Sequence, residues 1–314
     1  MALQILLFFT GLALIVFGAD FLVEGASSVA RRLGVSEFVI GLTIVGMGTS
    51  APEMVVSFIG AIRGNADIAV GNVIGSNVFN TLLILGLTAL ILPVNVTRGN
   101  RRKDIPVNLF ITLLLIGLGL NFGLGGDGLS RIDGAVMLLC FAAYIFACFK
   151  WDEKDTDSPP VKARPLWLAF LAVLCGIGAL IGGGQLFVDS ATAIARQLGM
   201  SDKFIAITIL AGGTSMPELA TCVAAAAKKR GQLALGNILG SNVFNILLIL
   251  GGSALIHPLN FSGMNFVDLG VLLLSAILVW TSVFTGKRNQ IDRLDGGILL
   301  AVWAAYMTYL ILHL

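Results

Sequence analysis

The segment Gly48-Thr49-Ser50-Ala51-Pro52-Glu53 decides the fold because it occurs twice in the chain. Its second copy, Gly213-Thr214-Ser215-Met216-Pro217-Glu218, lies 165 residues later. At this offset, and without a gap, residues 33–86 align with residues 198–251, and 26 of the 54 aligned positions are identical. The chain therefore contains two related halves.

Around both copies, the chain has the composition of a membrane protein. Charged residues make up 12% of its 314 residues, where soluble proteins have about 25%, and the mean hydropathy is +0.93. The formal charge of +2 provides no strongly basic surface for a nucleic acid. Apolar stretches of about 20 residues, enough to cross a bilayer, predict an all-α polytopic membrane protein with ten transmembrane helices. They cover residues 3–24, 36–61, 68–92, 105–124, 132–150, 165–190, 202–227, 232–256, 265–286 and 294–313.

Each half holds five of these predicted helices. Residues 1–150 form the first five-helix repeat, with its motif at 46–80, and residues 165–314 form the second, with its motif at 211–245. Because five is odd, the second repeat must cross the membrane inverted relative to the first. Inverted repeats are typical of secondary transporters, whose substrate site lies near the bilayer midplane. The polar residues 151–164 between them predict a linker.

The basic residues indicate how the chain is oriented. Loops that follow odd-numbered helices contain 16 of the 20 Lys and Arg residues. Because cytoplasmic loops are enriched in these residues, the linker at 151–164 is predicted to be cytoplasmic and both termini to lie outside the cytoplasm. We expect a multi-pass protein of the cell (inner) membrane.

Two acidic side chains, Glu53 and Glu218, fall near the middle of the second and seventh predicted helices. An ionisable residue at this depth is expensive to bury and is a functional candidate by default. Two carboxylates at one midplane site predict a cation as the substrate.

The prolines of the motif predict broken helices beside these acids. Pro52 and Pro217 have no amide hydrogen for the carbonyl four residues before them. We therefore expect freed backbone carbonyls at 46–48 and 211–213, where a broken membrane helix that lines a cavity can coordinate ions.

Neutral oxygens accompany both carboxylates, on the same helical face or on the next helix. Such all-oxygen sites suit hard cations, namely calcium and sodium, whereas magnesium tends to retain its water. The side chains concerned are Thr49, Ser50, Ser76, Asn80, Thr214, Ser215, Ser241 and Asn245.

Some polar residues allow a second interpretation. A kinked helix whose glutamate is satisfied by hydroxyl groups is the structural alternative to a site, although two copies with a midspan acid favour the site. Asn77 and Asn242 fit either a site role or hydrogen bonds between helices. The polar residues near the ends of helices one and six are expected at a water-filled entrance or an interface: Asp20, Glu24, Gln185 and Asp189.

Other functional classes find little support in the sequence. The two histidines, His257 and His313, lie away from the motifs, so an intramembrane enzyme is disfavoured. No phosphate-binding loop for ATP is present, and we expect no cofactor. An ion channel would use similar oxygen ligands but would not need two inverted copies around one midplane site.

The repeated motifs resemble the alpha-repeats of the calcium/cation antiporter superfamily, and specifically the prokaryotic type of its sodium/calcium exchanger branch, which has no regulatory domain. The resemblance implies a core of helices two, three, seven and eight that encloses the cation sites. It implies that Glu53 and Glu218 are shared calcium and sodium ligands. The resemblance adds contributions from Thr49, Ser50, Thr214, Ser215, Ser76 and Ser241, from the carbonyls of Gly46 and Ala211, and from Asn80 and Asn245 at the centre.

The function that this resemblance implies is secondary active antiport of sodium against calcium by alternating access, with electrogenic extrusion of calcium. Asparagine at positions 80 and 245, where some relatives have Asp, disfavours a potassium requirement. Calcium/proton antiport in the same fold is the alternative, although neither motif has the Gly-Asn-x-x-Glu pattern of that branch. Membrane lipid, calcium and sodium are the expected partners, and nothing in the sequence requires more than a monomer.

Overall fold

The computed structural model describes residues 2–121, 128–152, 164–198, 211–261, 265–285 and 289–312. The first half is almost entirely helical. Its elements are α1 (Ala2–Leu33), α2 (Glu37–Ile40), a π-helical segment (Gly41–Val45), α3 (Gly46–Thr49), α4 (Ala51–Ile62), α5 (Ala66–Val78), a π-helical segment (Phe79–Ile84), α6 (Leu85–Ile91), β1 (Val94–Asn95), a π-helical segment (Asn100–Asp104), α7 (Ile105–Gly119), β2 (Gly128–Leu129) and α8 (Arg131–Lys150).

The second half repeats this order. Its described elements are α9 (Leu166–Gln197), α10 (Ala211–Gly213), α11 (Met216–Ala227), α12 (Gly231–Val243), a π-helical segment (Phe244–Leu250), α13 (Gly251–Ile256), β3 (Leu259–Asn260), α14 (Phe266–Ser282), β4 (Gln290–Ile291) and α15 (Arg293–Leu312). At the 165-residue offset, α4 and α5 begin and end at the equivalents of α11 and α12. The sequence repeat is therefore also a repeat of local structure.

Several helices are long and apolar enough to cross a membrane. Within the described residues there are six single helices of this kind, and the pair Glu37–Thr49 and Ala51–Ile62, bent by 51°, brings the number to seven. The apolar helices α7, α11 and α14 are shorter, and residues 202–210 of the predicted seventh helix lie outside the described residues. The protein is a polytopic helical membrane protein, and the count of ten stays a prediction.

Several helices begin or end away from the approximate limits of the predicted stretches. The helices predicted at 3–24 and 165–190 continue to Leu33 and Gln197, and the one predicted at 105–124 ends at Gly119. With 32 residues each, α1 and α9 are about 48 Å long at about 1.5 Å per residue, more than a hydrocarbon layer of about 30 Å. Helices of this length are accommodated by tilting and by extending past the bilayer.

The helices α1 and α9 pack against each other along most of their length, in opposite directions. A Cβ added to Gly11 would lie 2.7 Å from the backbone nitrogen of Phe187, and one added to Gly25 would lie 2.9 Å from the carbonyl of Ala169. In α9, Gly176 and Gly183 approach the backbone of α1 as closely. Small residues at such contacts let membrane helices pack tightly, so α1 and α9 form a close pair.

The bundle has two ends, here named by the linker. The linker face is the end where α8 finishes at Lys150 and α9 begins at Leu166, and the opposite face is the other end. The backbone amide of Ser36 donates to Asp152, so α2 also begins at the linker face. From there α2–α4 run to the opposite face, which α4 reaches at Ile62.

Two short antiparallel strand pairs connect the halves at these ends. The strands β1 and β4 pair with Val94 opposite Ile291, and β2 and β3 pair with Leu129 opposite Leu259. Each pair takes one strand from each half, so the repeats are joined outside the helices as well as through the core.

Candidate cation site

The two motifs form matching helix breaks in the middle of the bundle. Ser50 has φ −82° and ψ 10° and separates α3 from α4, while Ser215, with φ −89° and ψ 9°, precedes α11. Pro52 and Pro217 occupy the first turn of the following helix, where a missing amide hydrogen is tolerated. Each break therefore ends one helix and begins another inside the bundle.

Glu53 and Glu218 lie in the first turn of α4 and α11, respectively. The free amides and the dipole at a helix N-terminus stabilise negative charge. Both side chains are buried, with 0% and 1% of their surface exposed. The fold thus places two carboxylates where backbone amides favour their charge and water does not reach freely.

Hydrogen bonds cross between the two motifs. The hydroxyl of Ser50 donates to Glu218 Oε1 at 2.8 Å, and the hydroxyl of Ser215 donates to Glu53 Oε1 at 3.0 Å. Ser76 also donates to Glu53 Oε1, at 3.4 Å. Ser50 and Ser215 therefore each orient the carboxylate of the other half, which brings Glu53 and Glu218 to one site.

The second oxygen of each carboxylate is left for another partner. Glu53 Oε2 and Glu218 Oε2 are buried and accept no hydrogen bond from the residues that the structure describes. Buried polar atoms are normally paired, and an unpaired one in a native structure indicates a role such as binding an ion. The donor set of carboxylate and hydroxyl oxygens suits a hard cation.

Two asparagines add further oxygens beside the carboxylates. Asn80 and Asn245 are the second residues of equivalent π-helical segments, Phe79–Ile84 and Phe244–Leu250. The extra residue in a π turn changes the direction of a side chain and is frequent at functional sites. Both polar atoms of Asn80 are buried without a hydrogen-bond partner in the described part of the chain, and so is Asn245 Oδ1. These amides extend the set of available oxygens.

The carbonyl of Gly46 is not freed as predicted. It accepts the backbone amide of Ser50 at 3.1 Å and also receives the hydroxyl of Ser241 at 3.5 Å. Pro52 lies in the first turn after the break. The carbonyl to which its missing amide would have donated is that of Gly48, four residues before it, and not that of Gly46. A carbonyl has a second lone pair, so Gly46 keeps some capacity as a ligand.

The other predicted residues lie at or next to the site. Thr49 is buried, and its hydroxyl lies 3.1 Å from the carbonyl of Val45 and 3.2 Å from Asn237 Oδ1. Thr214 is half-buried in the second break. Ala211 begins α10, and the side chain of Ala211 lies outside the described residues.

Comparison with known proteins identifies the family. The family model described as "Sodium/calcium exchanger protein" matches residues 3–150 and 168–312. This chain belongs to the sodium/calcium exchanger family. The exchanger is therefore a membrane cation transporter of the calcium/cation antiporter superfamily, prokaryotic in type, and its general class is that of a transporter.

Full-length relatives agree with this assignment. The exchanger is 38% identical to the putative antiporter CaxA of Alkalimonas amylolytica, over 94% of this chain and 95% of the relative. It is 31% identical to the sodium/calcium exchanger MaX1 of Methanosarcina acetivorans, over 97% of each chain. Among solved structures, that of the sodium-calcium exchanger NCX_Mj soaked with Na+ and Sr2+ has a TM-score of 0.84 and 33% identity, over 98% of both chains.

Sequence reasoning missed one pair of equivalent residues in the exchanger. The Asn72 side chain donates to the carbonyl of Glu53 and to the hydroxyl of Ser57, at 3.1 and 3.0 Å. Its equivalent Asn237 donates to Cys222 Sγ at 3.2 Å. Both asparagines belong to the second identical block of the repeat, 71–80 and 236–245, so their identity in the two halves was the available signal.

Asn77 and Asn242 connect helices of the two halves. Asn77 donates to the carbonyl of Asn242 at 3.3 Å and accepts from Asn245 at 3.0 Å. Asn242 in turn donates to Thr81 at 2.8 Å. Of the two interpretations left open by the sequence, hydrogen bonding between helices is the one that the exchanger's geometry displays.

The site of the exchanger adjoins a cavity on the side of the opposite face. A cavity of about 620 Å³ lies between α4 and α9 and includes Pro52, Thr214 and Pro217 beside the carboxylates. It continues to Gln185 and Asp189, which lie toward the end of α9 at the opposite face. These two residues line the entrance predicted for them.

At the linker face, the equivalent helices are in contact. Here α1 packs against α11, and Lys228 at the end of α11 forms ion pairs with Asp20 and Glu24 of α1, at 3.0 and 3.2 Å. The two acids therefore lie at an interface, the other location expected for them.

Proposed function

We propose that the protein is a secondary active antiporter that exchanges sodium for calcium by alternating access. The observation that carries the proposal is the crossed arrangement at the centre, in which Ser50 and Ser215 each hold one oxygen of the other half's glutamate. The second oxygen of both Glu53 and Glu218 remains available in the same buried place. Membership of the sodium/calcium exchanger family supports these ions as the substrates.

The proposed ligand set consists only of oxygens. Calcium takes six to eight oxygen ligands and accepts irregular geometry, and sodium accepts the same chemistry with less charge. Glu53 and Glu218 would bind both ions in turn, so that calcium and sodium compete. The neutral ligands in the proposal are Thr49, Ser50, Ser76, Asn80, Thr214, Ser215, Ser241 and Asn245, with the carbonyls of Gly46 and Ala211.

The architecture that we propose is two inverted five-helix repeats, 1–150 and 165–314, with ten transmembrane helices in all. The antiparallel packing of the equivalent helices α1 and α9 supports the inversion. The excess of basic residues at the linker face supports a cytoplasmic linker at 151–164 and termini outside the cytoplasm. The protein would span the cell (inner) membrane, and a monomer suffices for this site.

Coupling follows from the charge of the proposed site. Two ionised carboxylates without a cation are too costly to carry through a low-dielectric barrier. The site would therefore reorient only when calcium or sodium neutralises Glu53 and Glu218, and this produces exchange. If more than two sodium ions replace one calcium, the cycle moves net charge, and an inward sodium gradient would extrude calcium.

Flux measurements in vesicles test this function. Vesicles that contain the protein and internal sodium should take up labelled calcium when they are diluted into sodium-free buffer. Glu53→Gln and Glu218→Gln should each reduce this uptake at least about 100-fold, because removal of a buried charge-bearing ligand costs several kcal/mol. Asp67→Asn, which changes an exposed acid in the first turn of α5, is the matched control and should transport normally.

The alternatives give different outcomes in the same vesicles. Uptake that persists without sodium and follows a pH step would replace sodium by protons as the coupled ion. Uptake that is unchanged in either glutamine variant would reject the site. Single-channel currents in a planar bilayer would reject antiport in favour of a channel.

A further inference from the structure

The ion pairs at the linker face hold one side of the site closed. Lys228 lies 3.0 Å from Asp20 and 3.2 Å from Glu24, and Arg164 lies 2.7 Å from the other oxygen of Glu24. Lys228 caps the C-terminus of the core helix α11, whereas the two acids are on α1. We call Lys228, Asp20 and Glu24 the linker lock, because they tie α1 to the core where α1 would have to move for the site to open.

The 165-residue repeat provides a counterpart of this lock at the opposite face. Lys228 corresponds to Arg63 at the end of α4, and Glu24 corresponds to Asp189 on α9. Both residues are exposed, and neither has an ion-pair partner in the described part of the chain. The cavity of about 620 Å³ lies between the two helices that carry them. Asp189 lines this cavity and Arg63 follows the last residue of α4, so opposite charges are carried by the two helices that border the cavity.

The close pairing of α1 and α9 connects the two ends. Gly18 and Gly176 bring the two backbones so close that an added Cβ at either would lie within 3.0 Å of the other helix. Close-packed elements of this kind shift together and do not deform separately. A movement that takes α1 away from α11 at the linker face would therefore bring α9 toward α4 at the opposite face.

We propose that Arg63 and Asp189 form an ion pair that closes the opposite face when the linker lock opens. This inference rests on the proposed alternating access, and it assigns the two residues a role in closure, outside the cation site. The pair would form by the same helix movement that separates Lys228 from Asp20 and Glu24.

The two locks differ in strength. The equivalent of Asp20 is Gln185, which bears no charge. The linker lock therefore has two ion pairs between α1 and the end of α11, Lys228–Asp20 and Lys228–Glu24, and the opposite lock has one. Exposed ion pairs each change a population by about two- to five-fold. The difference favours the state in which the opposite face is open, which is the state of this structure.

Labelling of a cysteine in the cavity measures this balance without transport. Val56 lines the cavity between α4 and α9. In a background in which Cys140 and Cys175 are replaced by alanine, Val56→Cys should react with a maleimide at a rate that follows the open population. The same background without the Val56→Cys change is the control and should not be labelled.

Two substitutions should shift the balance toward closure of the opposite face. Gln185→Glu gives the opposite lock a second acid, and Lys228→Gln removes the centre of the linker lock. Each should slow the labelling of the cysteine about two- to five-fold. Arg63→Gln added to Gln185→Glu should restore the original rate, since the new carboxylate then has no cation to pair with.

Two outcomes would overturn the proposal. One is an unchanged labelling rate in Gln185→Glu or in Lys228→Gln. The other is a slow rate that persists in the Gln185→Glu, Arg63→Gln double variant, because a carboxylate near the thiol can lower its reactivity without any helix movement. Neither result depends on the coupled ion, so normal sodium-driven calcium flux with unaltered labelling would reject the lock and leave the proposed function intact.

Discussion

The helix pair α1 and α11 and the equivalent pair α9 and α4 occupy matching places in the repeat but are packed differently. The first pair is in contact at the linker face, where Lys228 meets Asp20 and Glu24. The second pair is separated by a cavity that reaches from Pro52 to Asp189. Between them, the Ser50–Glu218 and Ser215–Glu53 hydrogen bonds are nearly the same.

The contrast shows that the two halves agree at the centre of the bundle and differ at its two faces. The residues that hold the carboxylates are identical in the two halves, whereas the charges near the faces are not, as Asp20 and Gln185 illustrate. Under the proposed alternating access, such a transporter can have one symmetric site and an unequal preference for its two open states. Three further experiments test how far the centre and the ends differ.

The largest effect is expected from the crossed hydrogen bonds. Ser50→Ala and Ser215→Ala should each raise the calcium concentration for half-maximal uptake by about ten-fold or more, because a hydrogen bond to a charged group contributes about 1.5–3 kcal/mol. The half-maximal calcium concentration should rise by a similar factor in the two variants if the centre is symmetric. Calcium uptake into sodium-loaded vesicles, measured over a range of calcium concentrations, gives the half-maximal concentration of each variant.

A buried hydroxyl outside the site provides the control for these serines. Ser253 on α13 is 0% exposed, and its oxygen has no hydrogen-bond partner among the described residues. Ser253→Ala should leave calcium affinity unchanged. An effect in only one of the Ser50 and Ser215 variants would show that the centre, like the ends, is unequal.

A smaller effect concerns the pairing of α1 with α9. A Cβ on Gly176 would lie 2.7 Å from the backbone nitrogen of Leu22, whereas one on Gly178 would have no described atom within 4 Å. Gly176→Ala should therefore destabilise the protein by about 1–3 kcal/mol, and Gly178→Ala should not. Thermal unfolding in detergent compares the two variants. Equal stability would mean that α1 and α9 are not held as a close pair.

The smallest effect concerns a buried acid at the linker face. Asp104 accepts hydrogen bonds from Tyr144 and Asn100, at 3.1 and 3.3 Å, while its equivalent Leu269 is a buried apolar residue. Burial raises the pKa of Asp104 from 3.8 to about 6. Between these values the folded protein holds a proton that the unfolded chain has lost, so this group adds stability as the pH falls from above 6 toward 4.

The substitution Asp104→Asn should remove this pH dependence. The variant should unfold about 2 °C higher than the parent at pH 8, where the buried carboxylate is ionised, and this advantage should shrink at pH 4.5. Leu269→Asn is the matched control and should change stability equally at both pH values. The assignment would be contradicted if lowering the pH from 8 to 4.5 raised the unfolding temperature of the parent protein no more than that of Asp104→Asn.

Much of the centre was predictable from the sequence. A midspan acid is so costly that its position alone marks a site, and the repetition of Gly-Thr-Ser-x-Pro-Glu made Glu53 and Glu218 candidates for the same one. The serines that contact them were predicted as well. Their crossed pairing could not be predicted. It depends on which half of the protein each helix break faces, and an alignment of the two halves gives no distance between them.

The helix ends were less predictable for a physical reason. Hydropathy marks where the chain leaves lipid, but a helix can continue beyond that point if its backbone and charged side chains find partners. In α1 the helix extends to Leu33, past Glu24, whose carboxylate is held by Lys228 and Arg164. These partners are 204 and 140 residues away in the chain.

Three properties of this protein follow from its sequence alone. It is a helical membrane protein, it has two related halves, and it has two carboxylates accompanied by neutral oxygens. These properties depend on residue type and local periodicity, which a linear chain states in full. Only the tertiary structure decided that Ser50 serves Glu218, that Lys228 ties α11 to α1, and that the cavity lies between α9 and α4. Such choices depend on how whole helices are placed relative to one another. The equivalent pairs α1–α11 and α9–α4 are packed differently, and they differ in their ion pairs.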